Sequence, residues 1–215
     1  MFVLQNVVLL LIFLTNIINA ELQFRIVGGN SISIDLSPHQ LSLMKNNKHI
    51  CGAVIISKSW TLTSANCLQG IAVKDISLRA GSNSHTTGGT VHKVVKTIIH
   101  PTYDKVSKDY DIALVEVKPN FDLNKVKAIT LASDGSILKP GTQVSVTGWG
   151  VSTPSSTVFP DKLQQITVPI IQKDVCILAV GKQISDRMIC AGLTSGGKDI
   201  CDGDFGGPMV YQDNA

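Results

Sequence analysis

The chain has 215 residues, of which 44% are hydrophobic and 16% are charged, and its formal net charge is +3. This length and composition are enough to build a folded core, so a largely disordered protein is excluded. The charge is small and no run of Lys and Arg residues is present, so no nucleic-acid role is expected.

The first twenty residues predict a secretory signal peptide. An apolar run over residues 7–14 is too short to span a bilayer, and it is followed by Ile18-Asn19-Ala20, a sequence that suits signal peptidase. We assign residues 1–20 to the signal peptide and expect a secreted, extracellular protein. No later segment predicts a membrane span, so no membrane association is expected after signal removal.

After residue 25 the pattern is that of an all-β protein. Short runs of alternating or β-branched residues are separated by turn sequences such as Pro140-Gly141. The predicted strands cover residues 40–44, 53–57, 91–99, 112–117, 143–148 and 163–171. Many short strands at this spacing are typical of a barrel or a sandwich.

Secretion places the cysteines in an oxidising compartment, where disulfides are the default. The five cysteines are Cys51, Cys67, Cys176, Cys190 and Cys201. An odd number leaves three alternatives: a free thiol, a bond to another chain, or a partner in sequence that is missing here. A metal site is disfavoured because no two cysteines have C-x-x-C spacing.

Five short motifs follow one another along the chain. They are Arg25-Ile26-Val27-Gly28-Gly29, Ser64-Ala65-Asn66-Cys67, Asp111-Ile112-Ala113-Leu114, Gly148-Trp149-Gly150 and Cys201-Asp202-Gly203-Asp204-Phe205-Gly206-Gly207-Pro208. In this order and at these separations they resemble the chymotrypsin/trypsin-like serine proteases. The resemblance covers residues 26–215 and implies two antiparallel six-stranded β-barrels with the active site in the cleft between them.

The resemblance also locates the three residues of the catalytic triad. The general-base histidine belongs at Asn66 and the nucleophilic serine at Phe205, and only the orienting aspartate is kept, as Asp111. A phenyl ring has no attacking atom, and an amide is not a base near neutral pH. The sequence therefore predicts a catalytically inactive homologue, a pseudoprotease. None of the other five candidate bases lies at the motif position; these are His39, His49, His85, His92 and His100.

Other parts of the protease plan are retained. The resemblance makes Gly203 an oxyanion-hole position and Asp199 the carboxylate of a trypsin-like specificity pocket. Asp204 would pair with the new amino terminus at Ile26, once a zymogen is cut after Arg25. Residues 21–25 would then be a propeptide, and the alternative is that Arg25 is never cut.

The same resemblance pairs Cys51 with Cys67 and Cys176 with Cys190. The family partner of Cys201 lies in a C-terminal segment beyond Ala215, together with the last strands of the second barrel. We therefore expect an incomplete second barrel, a Cys201 left unpaired by truncation, and an incomplete sequence. No cofactor and no metal are expected, because the loop over residues 79–91, which binds calcium in some relatives, contains no Asp or Glu.

A narrower resemblance, to the inactivated protease paralogues of mites, rests on the stretch Ser195-Gly196-Gly197-Lys198-Asp199 and on the triad losses. It implies a monomer that binds an extracellular protein partner, with host plasma or complement proteins as the implied class. Two alternatives stay open. One is a trypsin-like endopeptidase with weak or residual activity, and the other is a decoy that sequesters protease inhibitors.

Overall fold

The computed structural model describes residues 29–133, 135–136, 138–151, 156, 158–181, 184–193 and 202–211. Within these ranges the regular structure is mostly β. The strands are β1 Asn30–Ser31, β2 Gln40–Lys45, β3 Lys48–Ile55, β4 Trp60–Thr63, β5 Ile76–Ala80, β6 Thr90–Ile99, β7 Ala113–Lys118, β8 Gln143–Gly148, β9 Gln164–Ile171, β10 Cys190–Ala191 and β11 Met209–Val210. The helical segments are three 3-10 turns and one α-helix: Ile34–Leu36, Asn66–Leu68, Val73–Asp75 and α1 Lys173–Val180.

The first half of the chain forms a closed six-stranded antiparallel barrel, as predicted. Its strand order is β2-β3-β4-β7-β6-β5, and β5 closes the barrel by pairing with β2. Inward positions alternate along β5 and β7, which fills the barrel with aliphatic side chains. The hairpin between β2 and β3 turns at Asn46 and Asn47, which both have positive φ, as a type I′ turn requires.

The second half is built on an antiparallel sheet. Its strand order is β1-β9-β8-β11, and β10 pairs with the other part of β9. Among the described residues these five strands form an open sheet and not a closed barrel. A smaller aliphatic cluster packs on it; its buried members are Val144, Val146, Ile166, Val168 and Ile170.

Several of the described elements differ from the strand predictions. Strands β4 and β5, of four and five residues, were not predicted. The run predicted over residues 53–57 is the end of β3, which begins at Lys48 and ends at Ile55. Helix α1 was not predicted either, since its eight residues lie inside a region rich in β-branched side chains.

The two halves meet at a buried polar contact. The Thr147 hydroxyl donates to Oε1 of Gln40 at 2.8 Å and lies 3.2 Å from the Ser37 hydroxyl. All three residues are at most 5% exposed. Gln40 is on the first barrel and Thr147 on the second sheet, so this contact fixes the two halves around the cleft between them.

Candidate functional site

The structure brings Asp111 and Asn66 together at one side of the cleft. Asn66 begins the 3-10 turn that follows β4, and Asp111 lies just before β7, which pairs with β4. Oδ1 of Asp111 accepts from the backbone N–H of Asn66 at 2.7 Å, and Oδ2 accepts from the Ser64 hydroxyl at 2.6 Å. Both carboxylate oxygens of Asp111 therefore have a donor within the protein.

The side chain of Asn66 is held by two further donors. Nζ of Lys108 lies 2.9 Å from Oδ1 of Asn66, and the Tyr103 hydroxyl lies 3.4 Å from the same atom. Lys108 has a positive φ of 58°, an uncommon conformation for a side-chain-bearing residue. Sequence reasoning missed Lys108, because nothing in a loop lysine 42 residues away signals this contact.

Phe205 lies on the loop that faces these residues. Its carbonyl accepts from the backbone N–H of Gly52 at 2.9 Å and lies 3.6 Å from Sγ of Cys67, the neighbour of Asn66. Its side chain is 44% exposed. The loop is therefore anchored to the first barrel through its backbone, while the phenyl ring is left partly in solvent.

Asp204 is buried next to Phe205. It is 4% exposed, and its Oδ1 accepts from the backbone N–H of Gly150 at 2.7 Å. A Cβ at Gly148 or Gly150 would lie 2.1 Å from a carboxylate oxygen of Asp204, so only glycine leaves room for this carboxylate. The proposed partner Ile26 and the cleavage residue Arg25 lie outside the described residues, as does Asp199.

His49 has a structural contact that sequence reasoning did not anticipate. Its Nδ1 lies 2.8 Å from the Ser42 hydroxyl, and its Nε2 lies 3.1 Å from the carbonyl oxygen of Gly203. Because the carbonyl only accepts, Nε2 donates and Nδ1 accepts in the neutral ring. Burial, followed by the charge of nearby His85, lowers the pKa of His49 from 6.5 to about 3. His49 therefore ties the Gly203 backbone to the first barrel as a neutral group.

Both disulfides implied by the sequence are confirmed. Cys51 is bonded to Cys67, which joins β3 to the turn that carries Asn66, and Cys176 in α1 is bonded to Cys190 in β10. The first of these bonds holds the Asn66 turn against the barrel. Cys201 lies outside the described residues.

The loop over residues 81–89 binds the side chain of Arg79, which lies on the preceding strand β5. The Arg79 guanidinium donates to the carbonyl oxygens of His85, Thr86 and Gly88. On its other side the loop is bound to Asp161, which accepts from the Thr86 hydroxyl at 2.8 Å.

Across the described part of the chain, no group of three or more His, Cys, Asp or Glu side chains has a metal-binding arrangement. The same residues include no helix that is long and apolar enough to cross a membrane.

Comparison with known proteins assigns the family. The family model of trypsin matches residues 26–215. The chain is 38% identical to Trypsin Blo t 3 of Blomia tropicalis over 191 residues, which cover 86% of this chain and 71% of that protein. It is 35% identical to Trypsin 5G1 of Aedes aegypti, with 87% and 71% covered, and 36% identical to the vitellin-degrading protease of Bombyx mori, with 87% and 72% covered. The chain belongs to the trypsin family, as its motifs predicted.

Proposed function

We propose that this chain is a secreted, catalytically inactive member of the trypsin family that acts by binding an extracellular protein. The observation that carries the proposal is the pair of residues at the general-base and nucleophile positions, Asn66 and Phe205. In a serine protease the nucleophile loses its proton to an adjacent base, and both groups act as a unit. An amide and a phenyl ring supply neither the base nor the attacking atom.

The surroundings of Asn66 support the proposal. Its Oδ1, the atom that could accept a proton, is engaged by the Lys108 ammonium and the Tyr103 hydroxyl. A water molecule acting as the nucleophile would lie next to the Lys108 ammonium and would have no base to take its proton. Loss of one triad member typically costs on the order of a millionfold in turnover, and loss of a second adds little.

The retained architecture supports a role for the folded surface. Asp204 is still buried against Gly150, and the disulfide beside Asn66 is still formed. These features stabilise the fold and the cleft without any chemistry. By the mite-paralogue resemblance, we propose host plasma or complement proteins as the partner class. Phe205 is 44% exposed at the position proposed for the nucleophile, and the bulk of its ring argues against an inhibitor decoy.

The alternative is a weakly active endopeptidase, and amidolysis distinguishes the two. The purified protein should release no p-nitroaniline above buffer background from blocked Arg or Lys p-nitroanilides, before or after treatment with trypsin and its removal. Sustained turnover abolished by a serine-protease inhibitor would refute the proposal. For the partner class, native protein should reduce complement lysis of sensitised erythrocytes, and heat-denatured protein should not; equal lysis would remove complement from the proposal.

A further inference from the structure

The groups at the former catalytic side of the cleft are hydrogen-bond donors. Oδ1 of Asn66 already accepts from Lys108 and Tyr103, and the amide Nδ2 of Asn66, a donor, has no acceptor within the described part of the chain. Across the cleft, the backbone N–H groups of Gly203 and Phe205 donate to no acceptor within the described part of the chain. Where the family carries a proton-accepting imidazole, this chain therefore presents N–H groups.

The carboxylates beside Lys108 are already engaged. Asp111 accepts from the Asn66 backbone and from Ser64. Asp109 is paired with Arg187 and also accepts from the Ser185 hydroxyl at 2.8 Å. The hydrogen bonds from Arg187 lower the pKa of Asp109 to about 2, so this carboxylate stays ionised and paired at neutral pH.

Lys108 itself has no such partner. No carboxylate lies within ion-pair distance of its ammonium among the residues that the structure describes, and its one hydrogen bond there goes to the neutral amide of Asn66. An ammonium has three donors, so two remain for a ligand. Lys108 is thus a cation without an ion-pair partner in the described part of the chain, and its ammonium lies beside the amide of Asn66.

We propose that this cleft binds a carboxylate of the protein partner, an Asp or Glu side chain or a chain terminus, through Lys108, Asn66 and the backbone N–H groups of Gly203 and Phe205. A carboxylate is a group that several N–H donors and one cation can bind together. The exposed ring of Phe205 adds an apolar contact for the stem of such a side chain. The inference rests on the proposed binding function.

The test is calorimetric titration of the full chain with three blocked hexapeptides that are identical except for Glu, Gln or Lys at a central position. The Glu peptide should bind about tenfold more tightly than the Gln peptide, because a charge-assisted hydrogen bond replaces a neutral one. Lys108→Met keeps the length of the side chain without its charge, and it should remove that difference. Lys108→Glu should invert the preference toward the Lys peptide.

Lys105→Met is the matched control, since Lys105 is an exposed lysine of the same loop with no contact to Asn66. It should leave the preference for Glu unchanged, and circular dichroism should show all variants folded. Equal affinity for Glu and Gln, no binding of the Glu peptide at millimolar concentration, or an unchanged preference in Lys108→Met would overturn the inference. None of these results would restore turnover, so failure of the proposed function is measured separately, by amidolysis and by fluorophosphonate labelling.

Discussion

His49 illustrates how a single side chain can make the stability of the fold depend on pH. In the folded protein its ring is neutral, donates to the Gly203 carbonyl and accepts from Ser42. The pKa is lowered from 6.5 to about 3, first by burial and then by the charge of His85. Folded protein therefore binds fewer protons at this site than unfolded protein does when the pH lies between these two values.

The stability that neutral His49 contributes is fully present above pH 6.5 and is lost as the pH falls from 6.5 toward 3. We expect the free energy of unfolding to fall by about 3 kcal/mol between pH 7 and pH 4 through this group. Urea unfolding at pH 7, 5.5 and 4 measures it. His49→Phe should be less stable at pH 7 but lose less stability on acidification. If the variant shows the same pH dependence as the unchanged protein, His49 is not the titrating group.

The contacts that matter most at the candidate site join residues that are far apart in sequence. The proposed triad positions at Asn66 and Phe205 were assigned from the local motifs around them, because those motifs are contiguous. The positions of Lys108 and His49 could not, since their partners lie 42 and 154 residues away and depend on how the strands pair. A lone loop lysine and a lone histidine carry no local signal of such contacts.

At the scale of elements, the strands that could be predicted were those with long β-branched runs. Strands β6, β8 and β9 have six to ten residues, and their β-branched runs were detected. The four residues of β4 were not, although β4 lies in the barrel directly before Asn66 and pairs with β7. Its place is fixed by pairing with β3 and β7, and such pairing is not encoded in any one segment.

We expect the conformation of the loop over residues 81–89 to depend on the Arg79 guanidinium. Replacing Arg79 by Met removes three donations to backbone carbonyls, and we expect a loss of roughly 2 kcal/mol, since such bonds involve a charged donor. Amide hydrogen exchange over residues 82–89 should become faster. Arg79→Lys should rescue little, because a single ammonium cannot reproduce the planar fork.

Lys93→Met supplies the matched control for this experiment, as Lys93 is an exposed residue on the adjacent strand β6. Its exchange pattern should equal that of the unchanged protein. Unaltered protection of the loop in Arg79→Met would show that the contacts of the loop with Asp161 are sufficient to order it.

At the scale of the whole molecule, the hydrogen bond between Thr147 and Gln40 is one of the buried polar contacts that join the two halves. Thr147→Val leaves Oε1 of Gln40 without its donor in a buried position, and this should lower the free energy of unfolding by about 1–3 kcal/mol. Thr167→Val, on the exposed face of the neighbouring strand β9, is the control and should change stability by less than about 0.5 kcal/mol. Equal effects of the two substitutions in urea unfolding would contradict the role of this contact.

The central claim is that the trypsin fold is kept here without its hydrolytic chemistry. A fluorophosphonate probe tests it most directly, because the probe forms a covalent bond only with an activated nucleophile such as a catalytic serine. If Phe205 and Asn66 occupy the triad positions, as we propose, native protein should be labelled no more than heat-denatured protein, while an equimolar trypsin control is labelled fully. Stoichiometric labelling of the native protein, competed by a serine-protease inhibitor, would contradict the account.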